Sequence, residues 1–421
     1  MAIILRKQKC QLTVITLTYQ DKLKLTKHQV SEINHYLDLC KSVFNYALKE
    51  RKDWLNSRKS PIHFCSLKQE YIIPADAPYP SYNNQAKALT QVKKNNKRLK
   101  SVHSQVLQQT LKQLDRAFSD MKSKGFGFPR FKKEMRSFVF PSLPKDCLGD
   151  NRIKLPKLGW VKIKQSRPYP TGFEPKQARI VKKASGYYVM IAFQSEETIP
   201  EHPVGKKSLG IDAGIESFIA TSREELIKAP KFLRDNLRKL KLLQKRLRNK
   251  KKGSNAWLRI QKKVAILHEK IANARRDWHF KLAHKLCDLT DNIFVEDINF
   301  KSWSRWIVRK ASLDSGIGQF INEILPFVCW KRGKFYLKVD KNYSSQECPE
   351  CGHNTGKKQL NERVHKCENC GYTCNRDVAA AKVIENRGKV AVGHTVERKS
   401  VRSWADGAKQ LELFDLSCFA S

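Results

Sequence analysis

The chain has 421 residues, with 82 Lys and Arg against 40 Asp and Glu, a formal net charge of +42 and a pI near 9.9. That length holds roughly two to four domains of about 100–200 residues, and so large a positive excess implies a polyanion partner, nucleic acid first, because Lys and Arg displace counterions condensed on phosphate. The absence of a secretory leader and of any apolar run of about 18 residues argues against a membrane protein and for a cytoplasmic one.

Residues 11–20, QLTVITLTYQ, alternate as a half-buried strand does. From Lys27 to Asn56 the spacing of Val30, Ile33, Leu37, Val43 and Leu48 predicts a helix. Residues 57–82, with Pro61, Pro74, Pro78 and Pro80, predict irregular chain. A second helix is expected over 102–122, with Leu107, Leu111, Leu114, Phe118 and Met121 as a core-facing stripe and SKG as its stop. The next stretch, GFGFPRFKKEMRSFVF, mixes aromatic rings with Arg and Lys. It reads either as a turn into a strand or as a surface that stacks on bases and touches phosphates, with Arg130, Lys132 and Lys133 as candidate contacts. Residues 136–195 predict short strands, among them WVKIK and YYVMIAF.

A strand, SLGIDAG, follows at Ser208 and ends at Asp212, with SFIATS as the second arm of a hairpin. Two amphipathic helices come next, one carrying Leu233, Leu237, Leu240 and Leu247, the other Trp257, Ile260, Val264, Leu267, Ile271 and Trp278. The turn NKKKGSN between them predicts antiparallel packing. NIFVEDINF (292–300) and FYLKVD (335–340) read as further strands, and the tail beyond 386 as weakly periodic chain, expected to be mobile.

Cys348, Cys351, Cys367 and Cys370 form C-x2-C-x15-C-x2-C, the spacing of a tetrahedral zinc ribbon. Gly352 and Gly371 follow the two pairs and suit tight turns around a metal. Four thiolates close the shell without His353 or His365, so one structural Zn2+ is expected. The other eight cysteines (Cys10, Cys40, Cys65, Cys147, Cys287, Cys329, Cys374, Cys418) form no framework, which fits a reducing compartment.

Three acids stand apart. Asp212 ends one predicted strand, Glu296 lies in an apolar strand where a lone charge is costly, and Asp377 opens the helix DVAAAKVI. Singly they read as a turn residue, an ion-pair partner and a helix cap. Together they suit hard divalent cations, Mg2+ or Mn2+, two of which stabilise the attacking and leaving oxygens of phosphodiester hydrolysis. Asp297 falls on the opposite strand face and reads as a turn or capping residue. Ala379, Ala380 and Ala381 permit close helix–sheet packing.

GIDAGI, VEDINF, SSQECPECG with CENCG, and NRDVAAAKVI resemble the three RuvC motifs and zinc ribbon of the TnpB (OrfB) family, transposon-encoded proteins similar to the ancestors of type V CRISPR effectors. VLQQTLKQLDRAF followed by FPRFKK resembles the family's recognition-lobe signature. The resemblance covers about 100–135 and 208–384, and more weakly most of the rest before the tail. It implies an α/β architecture: an RNase H-like (RuvC) nuclease domain with an inserted zinc ribbon, an N-terminal β-barrel-like wedge and a helical recognition lobe. The implied boundaries are 1–26 and 125–205 for the wedge, 27–124 for the recognition lobe, 206–342 and 372–390 for the nuclease domain, 343–371 for the ribbon and 391–421 for the tail.

The implied activity is RNA-guided, Mg2+-dependent cleavage of double-stranded DNA, with guide RNA made from the transposon end and Asp212, Glu296 and Asp377 as catalytic acids. A nucleoid-associated prokaryotic protein is implied, monomeric or dimeric. The family's last motif usually reads D-R-D-x-N-A-A-x-N; here Asn375, Ala379 and Val383 stand where Asp, Asn and Asn are common. The competing readings are a transposase, a non-cleaving nucleic-acid-binding regulator of transposition, and a compact CRISPR effector. Single-strand transposases need two His at i, i+2, a spacing none of the 11 His shows, and D-D-E transposases order their acids differently.

Overall fold

Thr26 opens the first long helix with a capping box: its hydroxyl accepts from Gln29 N, and the Gln29 side chain accepts from Thr26 N. The computed structural model to which this helix belongs describes residues 15–59, 73–74, 76–195, 203–214, 216–300, 314–359 and 362–394. The chain forms two units, Met1–Ile199 and Pro200–Ser421.

The first unit joins helices to an antiparallel sheet. Its helices are α1 (Lys27–Ser57), α2 (Tyr82–Asn95), α3 (Lys97–Ser101) and α4 (Ser104–Lys124). Its strands are β1 (Ile15–Lys24), β2 (Ser137–Phe140), β3 (Leu148–Gly149), β4 (Arg152–Leu155), β5 (Gly159–Lys164), β6 (Glu174–Lys183) and β7 (Gly186–Ser195), in the order β2-β6-β7-β1-β5-β4-β3. The predicted stripes do form the core: Ile33, Leu37 and Leu48 of α1 and Leu107, Leu111 and Leu114 of α4 are buried in one cluster with Val189, Ile191 and Phe193 of β7.

Three expectations change. The first strand runs on to Lys24. Helices α2 and α3 were not expected: α2 packs on the core only through half-buried Tyr82, Ala86 and Leu89, its one buried residue is the polar Gln85, and Ser81 caps its start. The barrel is not seen, because β2 and β3 lie at opposite edges of the sheet and do not pair among the described residues. Most of the irregular 57–82 stretch, and the tail beyond His394, lie outside the described residues.

The second unit is built on a mixed sheet, β10-β9-β8-β11-β12, from β8 (Ser208–Ala213), β9 (Ile219–Thr221), β10 (Leu226–Ile227), β11 (Asn292–Glu296) and β12 (Phe335–Val339). The hairpin β8–β9 is antiparallel, as expected, whereas β11 runs parallel to both β8 and β12. The Asn292 side chain pins the register, accepting from Gly205 N and donating to Gly205 O and Ser208 Oγ. Every residue of β11 is buried, the pattern of a strand covered on both faces.

Period-2 alternation assigns those faces. Leu209, Ile211, Ile293 and Val295 face a cluster with Leu286 of α6 (Asn255–Leu289), Phe320 of a π turn (Phe320–Ile324) and Leu325 of α7 (Leu325–Lys331). Phe294 faces the other way and packs with Val339 and with Ile384 of α8 (Arg376–Ala391). A further helix, α5 (Phe232–Arg248), packs on α6 through Leu240, Leu267 and Ile271, as the sequence predicted. Between β12 and α8 stands the small ribbon, with β13 (Val364–Lys366) antiparallel to β14 (Thr373–Asn375).

Candidate functional site

The register of β8 and β11 decides where the first two acids lie. Phe294 pairs with Gly210 and Val295 with Ile211, so Asp212 and Glu296 are neighbours one residue further along parallel strands, on the face that α8 covers. Helix α8 comes so close that a Cβ at Gly210 would stand 2.0 Å from Ala381 O and 2.6 Å from Glu385 N. Ala379, Ala380 and Ala381 are all buried. Asp377, one turn before Ala381, is thereby carried over the strand ends. Asp212, Glu296 and Asp377 all line one cavity of about 710 Å3, together with Lys341, Arg363 and Arg376.

The electrostatics are those of a crowded acidic site. Burial, then the negative charges of Glu296 and Asp377, push the Asp212 carboxyl well above its ordinary range; the Ala213 amide and Arg376 pull less strongly the other way. Burial also raises Glu296, opposed by a hydrogen bond from Ser344 and the charges of Arg387 and Lys341. Oxygen donors that repel one another in this way suit a hard divalent cation, so the residues fit Mg2+ or Mn2+. Unlike the clip thiols, these acids do not form a cluster with every donor atom within 4.8 Å of the others.

Several site residues carry no signal of their own in the sequence. Ser344 is buried and donates its hydroxyl to Glu296 Oε1. It reaches the acid because Arg387, on α8, clamps the strap leading into the ribbon: its guanidinium donates to Asp340 O at 2.9 Å, Asn342 O at 2.7 Å and Glu347 Oε2 at 2.9 Å. Ser344 sits inside the quoted motif SSQECPECG, but only the fold reveals its partner. Arg376 and Arg363 also face the cavity, Arg363 paired with Glu216 at 2.5 Å. Asn375 caps α8, accepting from Asp377 N at 2.9 Å, and so fixes the backbone that presents Asp377. Ala379 and Val383 are buried in packing. Asp297 pairs with Lys338 at 3.2 Å on the surface, its N–H bonded to Val339 O.

At the cysteine clip, the Sγ atoms of Cys348 and Cys370 stand 3.6 Å apart, as do those of Cys351 and Cys367, and all four lie within 4.8 Å of one another. Thiolates sharing a tetrahedral zinc at about 2.3 Å are about 3.8 Å apart, so the set fits zinc. The two turns match: Gly352 N donates to Cys348 O and Gly371 N to Cys367 O, each at 2.9 Å, with the glycines at φ +76° and +72°. His353 and His365 are not in the cluster. The His365 ring is buried and meets Lys358 Nζ. Cys374 lies across from His365 on the ribbon, also outside the cluster.

The predicted nucleic-acid contacts belong to the first unit. Arg130 and Lys133 are exposed, whereas Lys132 turns inward, its ammonium 4.2 Å from the centre of the Phe44 ring. Burial lowers its affinity for a proton.

Residues 191–306 match the family described as "Probable transposase", residues 319–384 the Cas12f1-like TNB domain, and residues 15–60 a helix-turn-helix domain. In this structure the described residues of that last stretch form one strand and one long helix. A protein of Escherichia coli (strain K12) with the provisional name RNA-guided DNA endonuclease InsQ is 30% identical over 90% of this chain and 92% of its own length. A Streptomyces pristinaespiralis protein, provisionally named an RNA-guided DNA endonuclease, is 27% identical over 91% of this chain and 93% of its own. The fold is similar to that of Cas12f1 in its complex with sgRNA and target DNA, at a TM-score of 0.51 and 14% identity, over 86% of this chain and 84% of that one. Identity at that level over nearly the full length of the bacterial relative, with the probable-transposase match, shows that the chain belongs to the TnpB (OrfB) family.

Proposed function

We propose that the protein is a transposon-encoded, RNA-guided DNA endonuclease. The observation that carries this reading is the meeting of Asp212, Glu296 and Asp377, from two parallel strands and a helix, in one cavity. The names of the full-length relatives support the same reading. Asp212, Glu296 and Asp377 would hold two Mg2+ or Mn2+ ions. Such ions stabilise the attacking and leaving oxygens of phosphodiester hydrolysis. Ser344 fixes the Glu296 carboxylate toward the cavity, and Asn375 fixes the start of α8 beneath Asp377. Lys341, Arg363 and Arg376 give the cavity wall the positive charge that a phosphate backbone requires.

The four cysteines hold one structural zinc, and the ribbon anchors the strap that carries Ser344. The guide is RNA from the transposon end and the target is double-stranded DNA. The domain boundaries of this reading are those given by the family resemblance, with the sheet of the first unit as the wedge; the division of the chain after Ile199 supports a boundary near 205.

The test combines the purified chain, its co-purified RNA and a matching DNA carrying a randomised flank. Cleavage should need Mg2+ or Mn2+. Asp212→Ala, Glu296→Gln and Asp377→Ala should each abolish it nearly as completely as the triple variant, because residues acting as a unit are not additive. RNA binding should persist in all of them. Wild-type cutting rates in Asp212→Ala would overturn the site. No cutting by the wild type with any flank or metal would favour the non-cleaving alternative.

A further inference from the structure

The loop after α4 carries three phenyl rings in the open: Phe126, Phe128 and Phe131 are 57%, 43% and 49% exposed. Apolar side chains this clustered on a protein surface mark something that covers them. The loop is also built firmly. Gly125 ends α4 in the left-handed conformation at φ +64°. Phe128 meets buried Phe118 edge-on, with ring centres 5.4 Å apart, and the buried Arg51 guanidinium stacks on the far ring at 5.2 Å. At the other end the Asn45 side chain grips the backbone of Lys132 twice, accepting from its N–H at 2.8 Å and donating to its carbonyl at 2.9 Å. The exposed rings are therefore presented by a fixed scaffold.

Positive charge surrounds them. Exposed Arg130 and Lys52 line the same cavity of about 620 Å3 as Phe128 and Phe131, and Lys52 Nζ lies 5.7 Å from the Phe131 ring centre. Lys132, turned onto Phe44, is not part of this surface. Rings that stack and cations that meet phosphate, alternating on a rigid loop, are what unpaired bases on a polyanion chain require.

We propose that Phe126, Phe128 and Phe131, with Arg130 and Lys52, form a stacking platform for unpaired bases of the guide RNA. This rests on the RNA-guided reading, which makes RNA the resident partner and DNA the transient one. Rings that would otherwise stay open to water between targets call for the resident.

The experiment uses the full chain, freed of co-purified nucleic acid by high salt, and a short unstructured RNA. Its comparators are single-stranded DNA of the same sequence and the same ribose-phosphate chain without bases. Phe126→Ala and Phe131→Ala leave the Phe128–Phe118 contact in place, and unchanged melting checks that they fold. Each should weaken RNA binding about tenfold or more. Neither should change binding of the base-free chain, and Phe131→Trp should restore affinity. Arg130→Gln should instead lower the slope of log affinity against log salt by about 1, a slope the Phe variants leave alone. RNA affinity unchanged in both Ala variants overturns the platform while the nuclease reading stands. A loss confined to DNA, or equal on the base-free chain, also overturns the platform. Vesicle binding or self-association that disappears in these variants while RNA binding holds would assign the face to lipid or a second copy and overturn it. A wild type that binds no RNA at any salt overturns this inference and the RNA-guided reading together.

Discussion

At the scale of single residues, the consequence of crowding three carboxylates can be measured without cleavage. The raised Asp212 carboxyl means that the folded state favours its protonated form. The stability gained in this way is fully present below the ordinary value of 3.8 and is lost as pH climbs through the raised one. Metal-free protein should therefore lose this group's share of stability as the solution goes from acid toward neutral, against the opposite contribution of buried His279 and His365, whose proton affinity burial lowers. Asp212→Asn should remove part of that loss and melt higher than the wild type at pH 7 without metal. Mg2+ should raise the melting temperature of the wild type more than that of the variant; calorimetry at several pH values checks both signs. Ser344 offers a separate test, because its hydroxyl orients Glu296 without adding charge. Ser344→Ala should raise the Mn2+ concentration needed for half-saturation, measured by Mn2+ binding as well as by cutting, and Ser344→Thr should recover most of it. Equal Mn2+ binding in Ser344→Ala and wild type would remove this role.

At the scale of elements, the most exacting contact is that of α8 with β8. Gly210→Ala would drive a methyl into the backbone at Ala381 and Glu385, which can yield only by lifting the helix. The expected cost is about 1–3 kcal/mol in urea unfolding, with cleavage lost because Asp377 moves. A variant as stable and active as the parent would disprove the close approach. The sequence showed this geometry only in part. Asp212, Glu296 and Asp377 were readable as separate anomalies, an acid at a strand end, an acid in an apolar run, an acid opening a helix, and GIDAGI placed the glycine beside the first. What period and spacing do not contain is the parallel register of β8 with β11, which makes two of these acids neighbours. The long helices were legible because their apolar stripes repeat through several turns. Helix α2 was not, since its apolar contact is short, made by half-buried Tyr82, Ala86 and Leu89, and its one buried side chain is the polar Gln85, bonded to Arg51, Glu50 and the Ala47 carbonyl. Composition likewise gave Arg130, Lys132 and Lys133 equal standing; only the packing of Phe44 and Asn45 distinguishes the middle one.

At the scale of the whole molecule, each unit has its own apolar core, so each should unfold as a cooperative body. Calorimetry of the metal-loaded chain should show two transitions. Stripping zinc, or Cys351→Ser, should lower one of them, because metal binding energy in a ribbon is folding energy; movement of both by equal amounts would contradict independent units. The strand order carries a last consequence, for biosynthesis. The first described strand, β1, pairs along its length with β7, the last strand of its unit, so Ile15 has no partner until Ser195 has been made. The second unit repeats the pattern: β8 leaves the ribosome early, but α8, which covers it and carries Asp377, comes last among the described elements. A nascent chain halted within the ribbon would hold Asp212 and Glu296 but not Asp377. Translation itself thus withholds the third acid, so on the function proposed above a product halted in the ribbon, however well its first unit has folded, should cut no DNA.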